Sequence, residues 1–138
     1  MLRGPNPSLL RCFLYCSVLA ADQTPVAITQ IVHAARHKNR HQGITGVLVF
    51  DGLAFAHYLE GPPAAIAHLK SELLRDDRHV ALQVLHEATV DAPRAFPNWA
   101  LGFGICTDIE AFQRLEGHHG LAAFERFRAM LTECDVEA

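Results

Sequence analysis

The stretch from Ile44 to Gly61, ITGVLVFDGLAFAHYLEG, restricts the fold more than any other part of this chain. It reads as two strands joined at Asp51-Gly52, a dipeptide that accepts the positive φ angles of a tight type I′ hairpin turn. The first strand is almost wholly apolar from Val47 to Phe50, as expected where helices or a second layer cover the sheet. The second alternates, with Ala54, Ala56 and Tyr58 on one face and Phe55, His57 and Leu59 on the other. His57 is the polar exception on that second face.

A central hairpin needs neighbours, and the flanking sequence supplies them. Arg11 to Leu19 is rich in Phe, Leu, Tyr and Val and predicts a first strand. Thr24-Pro25 then offers an N-cap and a first-turn proline. Ile28, Ile31, Val32 and Ala35 follow at helical spacing, so a helix is predicted from about Pro25 to His41, ended by Gly43. Gly61-Pro62-Pro63 starts a second helix, with Ile66, Leu69, Leu73 and Leu74 as its apolar stripe. The charged turn RDDRH precedes a strand predicted from Val80 to His86. The loop DAPRAFPN leads to Trp99 and a fifth strand, Ala100 to Cys106. The order is βαββαββ, and its βαββαβ core is the split βαβ, ferredoxin-like pattern: an α+β fold with two helices on one face of a mixed sheet. Thr107 is predicted to cap a short helix carrying Ile109, Phe112 and Leu115. Leu121, Phe124, Phe127 and Leu131 predict a last helix. These C-terminal helices need an apolar surface, either the sheet's other face or a second subunit. The expected organisation is a flexible leader over 1–10, one domain over 11–106 and a helical extension over 107–138.

Bulk properties narrow the partners. A chain of 138 residues, half of them hydrophobic, builds one core without disulfides or metal. A net charge of −3 leaves no basic footprint for nucleic acid and no polybasic membrane patch, and no run is long enough to span a bilayer. The first residues superficially resemble a secretion signal. Arg11 interrupts the apolar run, though, and Pro5 and Pro7 come early, so the segment reads as a core strand instead. Cys12, Cys16, Cys106 and Cys134 lack CxxC spacing, which predicts reduced thiols in a cytoplasm.

Candidate chemistry is sparse. His33, His37 and His41 share one stripe of the first helix, a spacing that can bind metals. No carboxylate or cysteine completes that site, and Arg36, Lys38 and Arg40 oppose a cation, so no metal is expected; His118-His119 is a weaker candidate still. No GxSxG, HExxH or P-loop pattern is present, and no enzymatic activity is expected. Arg75 and Arg78 of RDDRH read, by themselves, as a solvated turn. The sharper constellation is Tyr15 and Ser17 on the first strand, Asn39 near the end of the first helix and His57 on the third strand. The expected topology sets the first and third strands side by side as parallel neighbours, with polar groups at the floor of a pocket between the two helices.

These residues lie in motifs that resemble the blue-light-using-flavin (BLUF) domains. The match runs over about residues 11 to 104: LYCS, AARHKN, GITGVLVFDG, LEG, RDDRH and RAFPNW, in that order. The resemblance implies a non-covalent FAD with its ring held between the two helices. It implies that Asn39 bonds the pyrimidine edge and that Tyr15 donates an electron and a proton. Arg78 and His79 are implied near the flavin edge or phosphates, with Lys38 assisting and Ser17 in the same pocket. Tyr15, His57 and Trp99 are the candidates for photochemistry. The family carries a glutamine three positions before the Glu of LEG, where this chain has His57. Two positions after Trp99, where the family usually has methionine, this chain has Leu101. An imidazole has no amide to rotate, so the resemblance predicts flavin binding with the red-shifted signalling state impaired. His57 is also expected to titrate near neutrality and so to make its link to Tyr15 pH-sensitive. The resulting expectation is a cytoplasmic FAD-binding sensor that acts on a protein partner or through homo-oligomers. The alternative is a flavin-free interaction module on the same fold.

Overall fold

The computed structural model describes residues 9–106, 115 and 117–137. Strand β1 (Leu9–Leu19) is followed by helix α1 (Pro25–Gln42), the hairpin β2 (Thr45–Phe50) and β3 (Ala54–Gly61), and helix α2 (Pro63–Arg75). Then come β4 (His79–Asp91), β5 (Gly102–Ile105), helix α3 (Leu121–Leu131) and β6 (Asp135–Glu137). All six strands form one sheet in the order β4-β1-β3-β2-β5-β6. This is the predicted α+β, ferredoxin-like arrangement with a mixed sheet. β1 and β3 are neighbours but antiparallel, not parallel as the sequence reading had them. The α1 crossover makes β1 parallel to β2, and β3, returning through the hairpin, inserts between the two in the opposite sense.

Alternation along the strands splits the side chains between two layers. On one face Ile28 and Val32 of α1 pack on Leu48, Phe50 and Phe55, and Ile66 of α2 packs on Phe13, Tyr15 and Leu59. On the other, Ala123, Phe127 and Met130 of α3 cover Leu14, Val47, Val49, Ala56 and Tyr58. Each large apolar side chain so buried stabilises the fold by about 1.5–3 kcal/mol. α3 thus lies on the sheet face opposite α1 and α2.

Several local expectations change. The hairpin is not type I′: only Gly52 has positive φ, and the Asp51 carboxylate accepts from the Leu53 and Ala54 N–H groups, taking over the work of a second positive-φ residue. Thr24 occupies the N-cap of α1 but makes no side-chain cap bond. Gly43 does end α1, in the left-handed conformation, with its N–H on the Asn39 carbonyl. Leu74 and Leu121 point to solvent, 60% and 67% exposed, so neither belongs to its helix's apolar stripe. β1 begins at Leu9 and β4 runs on to Asp91, while β5 is shorter than predicted and β6 was not predicted at all. The helix predicted from Thr107 lies outside the described residues, apart from buried Leu115. β4 meets β1 through two register shifts, flanking Tyr15 and Cys16. Near the second, Ala81 adopts a φ of 55°, unusual for a residue with a Cβ. No described helix is long and apolar enough to cross a membrane.

One buried carboxylate ties the β4–β5 connection to the hairpin. Glu60, 1% exposed, accepts from the backbone N–H groups of Ala95 and Phe96 at 2.9 and 2.7 Å, and from the hydroxyls of Tyr58 and Thr45. Arg94 bonds Thr45 beside it. Removing the carboxylate orphans two backbone donors and two hydroxyls. Glu60→Ala is expected to lower stability by about 3 kcal/mol or more, measured by chemical denaturation. A loss under 1 kcal/mol would show that water replaces the carboxylate.

Candidate functional site

The cleft between α1 and α2, about 420 Å³, lies above the middle of the sheet and within the size range of small-ligand sites. Ile31, Ala34 and Ala35 of α1 form one wall and Leu69 and Leu73 of α2 the other, over a floor that includes Leu48 and Phe55. These side chains come from helical stripes and alternating strand positions that also serve the core, so the same pattern that folds the chain leaves an apolar slot. Into that slot Tyr15, Ser17, Asn39 and His57 bring polar groups.

Tyr15 and His57 are paired residues of β1 and β3, and the Tyr15 hydroxyl lies 2.8 Å from His57 Nδ1. Burial raises the Tyr15 pKa, so the phenol keeps its proton. Burial, with a smaller contribution from His79, pushes the His57 pKa down to about 3. The expectation of a titration near neutrality is therefore corrected: desolvation holds this ring neutral. A neutral imidazole has one donor and one acceptor nitrogen. With the phenol donating to Nδ1, the ring proton sits on Nε2, and that nitrogen, like Ser17 Oγ, is buried without a hydrogen-bond partner among the described residues. The floor thus offers an uncommitted donor and an uncommitted hydroxyl inside an apolar slot. That combination suits a flat heteroaromatic ring with an acceptor edge.

The remaining predicted residues take distinct places. Asn39, 2% exposed, donates through Nδ2 to the Ala100 carbonyl at 2.7 Å while lining the cleft. Lys38 reaches across the mouth to Glu72 of α2 at 2.6 Å, and Glu72 also meets His68. Arg78 lines the cleft, held by three side-chain hydrogen bonds to the Asp76 carboxylate. His79 lines it too, donating through Nε2 to the Leu73 carbonyl, its ring centroid 6.0 Å from that of Tyr15. Trp99 is not brought to the cleft. Its ring stacks on Phe96 and packs over Gly102 with the cluster beneath α3, while Leu101, buried, takes the cleft side. Sequence reasoning missed Glu72 and Asp76, although Glu72 follows Leu69 by three residues and so shares its helix face. His37 and His41 do adjoin, ring centroids 4.7 Å apart, but no group of three ligating side chains occurs among the described residues.

A ferredoxin-like sheet bearing a two-helix cleft over a phenol–imidazole pair defines a small-ligand-binding architecture, and its family is given by comparison with known proteins. The chain matches the family model of BLUF, sensors of blue-light using FAD, over residues 10–102, and it belongs to that flavin-binding family. It is 30% identical over 106 residues to photoactivated adenylate cyclase subunit beta of Euglena longa, covering 72% of this chain and 12% of that protein. With the blue light- and temperature-regulated antirepressor BluF of Escherichia coli it shares 30% identity over 71 residues, 51% of this chain and 18% of the relative. The chain thus spans only a small fraction of these curated relatives. Among solved structures, the dark state of the BLUF protein BlrB superposes with a TM-score of 0.75 at 25% identity, covering 88% of this chain and 94% of that one. Klebsiella pneumoniae BlrP1 with FMN and cyclic diGMP gives a TM-score of 0.63 at 36% identity, over 70% of this chain and 25% of that one.

The low pKa of His57 has a consequence for stability. The unfolded chain binds a proton near pH 6.5 that the folded chain refuses until about pH 3, so His57 costs the fold nothing above 6.5 and an increasing penalty as pH falls through that window. Between pH 6.5 and 5 the loss is about 2 kcal/mol. Denaturant titrations at both values are expected to show His57→Gln losing that much less than the unaltered chain. Equal losses would mean that His57 is protonated in the fold.

Proposed function

We propose that this chain is a blue-light sensor that holds a non-covalent FAD in the cleft between α1 and α2, and that His57 replaces the family's amide switch with a fixed imidazole. The observation that carries this reading is the buried Tyr15–His57 hydrogen bond with its unpartnered Nε2 at the cleft floor. The residues that would hold the cofactor are Tyr15, Ser17, Lys38, Asn39, His57, Arg78 and His79. Lys38 and Arg78 supply cationic groups for the phosphates that distinguish FAD from riboflavin. When bound, the flavin supplies absorption of blue light and a ring that accepts an electron.

The chain's own part is positional. Tyr15 gives its hydroxyl proton to Nδ1, and the imidazole presents Nε2–H on the opposite edge. An amide carries donor and acceptor at one end and exchanges them by rotating; His57, wedged between β1 and β2 neighbours in the sheet, exchanges them only by moving protons between its two nitrogens. Asn39 grips Ala100, so a change in the cleft reaches the segment before β5, and through Trp99 the face covered by α3. Residues 11–106 form the sensing unit on this reading. The following segment passes the change to a protein partner, with self-association of the chain as one route, and no catalysis is assigned. No disulfide joins the four cysteines, which supports a cytoplasmic setting.

The absorption spectrum of protein purified from a flavin-producing host tests this reading. A yellow protein that shows no persistent red shift after illumination, and gains one in His57→Gln, is the expected result. Asn39→Ala is expected to lose bound flavin. A colourless protein that does not take up added FAD would replace the sensor with a flavin-free interaction module. A persistent red shift in the unaltered chain would overturn the role given to His57.

A further inference from the structure

We propose a second ligand site, for a phosphate group, in the cavity on the other side of Asn39 from the cleft. This cavity, about 460 Å³, shares Asn39 and Leu101 with the cleft as a common wall. Arg36, Arg40 and Arg94 line it, and no aspartate or glutamate does. Three arginines and no acidic residue thus line one cavity in a chain whose net charge is −3.

The three are unequally committed. Arg36 donates Nε to the Leu101 carbonyl at 2.8 Å, which anchors the guanidinium and leaves its terminal nitrogens uncommitted among the described residues. Arg94 uses one terminal nitrogen on the Thr45 hydroxyl and the Glu60 carbonyl. The nearby Glu60 carboxylate, itself engaged by two backbone N–H groups, offsets part of the Arg94 charge from behind. Arg40, one helical turn beyond Arg36, makes no hydrogen bond or ion pair among the described residues. Guanidinium groups that share one cavity are stabilised when an anion joins them, and their paired N–H edges match the oxygens of a phosphate. A multiply charged phosphate balances more of this charge than a single carboxylate does. The proposal does not depend on flavin in the cleft.

Trp99 is the chain's single tryptophan and is one of the residues at this cavity, so its emission is followed together with heat. The test titrates inorganic pyrophosphate into the full chain, with sodium chloride at matched ionic strength as the control, and follows Trp99 emission and heat. The expected result is a saturable change with pyrophosphate and none with chloride. Arg40→Ala, at an exposed position with no structural bond, is expected to weaken binding about tenfold. The double variant Arg40→Gln with Arg94→Gln is expected to abolish it, with unfolding transitions confirming a folded protein. Arg78→Gln, in the cleft, is expected to leave affinity within about twofold. A parallel ATP titration separates sources of the same chemistry: tighter binding of ATP assigns a nucleotide-borne phosphate, equal binding a free one. No saturable signal at matched ionic strength, unchanged affinity in Arg40→Ala, or loss in Arg78→Gln alone would each overturn the proposal.

Discussion

The antiparallel pairing of β1 with β3 sets every other relation in the molecule. Because Tyr15 stands opposite His57 in that ladder, odd-numbered residues of both strands face α1 and α2, while even-numbered residues face α3. A slip of β1 by one residue against β3 would send Tyr15 and Ser17 under α3, away from His57, and bring Leu14 and Cys16 into the cleft. The apolar Val47 to Phe50 segment, buried on both faces, holds the hairpin at the centre, and Glu60 then fixes where the β4–β5 connection crosses the end of the sheet. Site and core are therefore one set of alternating positions.

Much of this was legible because the signals are local. Proline at the start of each of the first two helices, Gly43 after α1 and the alternation from Ala54 to Leu59 express steric and solvation rules that act within a few residues. Tyr15, Ser17, Asn39 and His57 could be gathered because the βαββαβ order determines which strands are inner. What escaped depended on tertiary competition. The relative sense of β1 and β3 needs the whole crossover traced, not the strands alone. The direction of Trp99 is decided by the bare backbone of Gly102 and by Phe96, and the exposure of Leu74 by which side of α2 meets the sheet.

The same distinction explains the hardest chemical point. From its type, His57 is a group that titrates near neutrality, and only the layers above and below it remove the water that would solvate a charged ring. When the phenol opposite it donates to Nδ1, the remaining proton lies on Nε2. Burial within the sheet thus keeps the most pH-responsive side chain neutral, and the hydrogen bond to the phenol orients its ring.

The cleft's floor and mouth differ in mechanical character. The floor is a hydrogen-bonded ladder with buried rings on both sides, while the mouth is bridged by Lys38 and Glu72, an ion pair open to solvent. Such a pair resists separation by at most about 1 kcal/mol. The two helices are therefore joined across the mouth far more weakly than the strands beneath them are joined to one another.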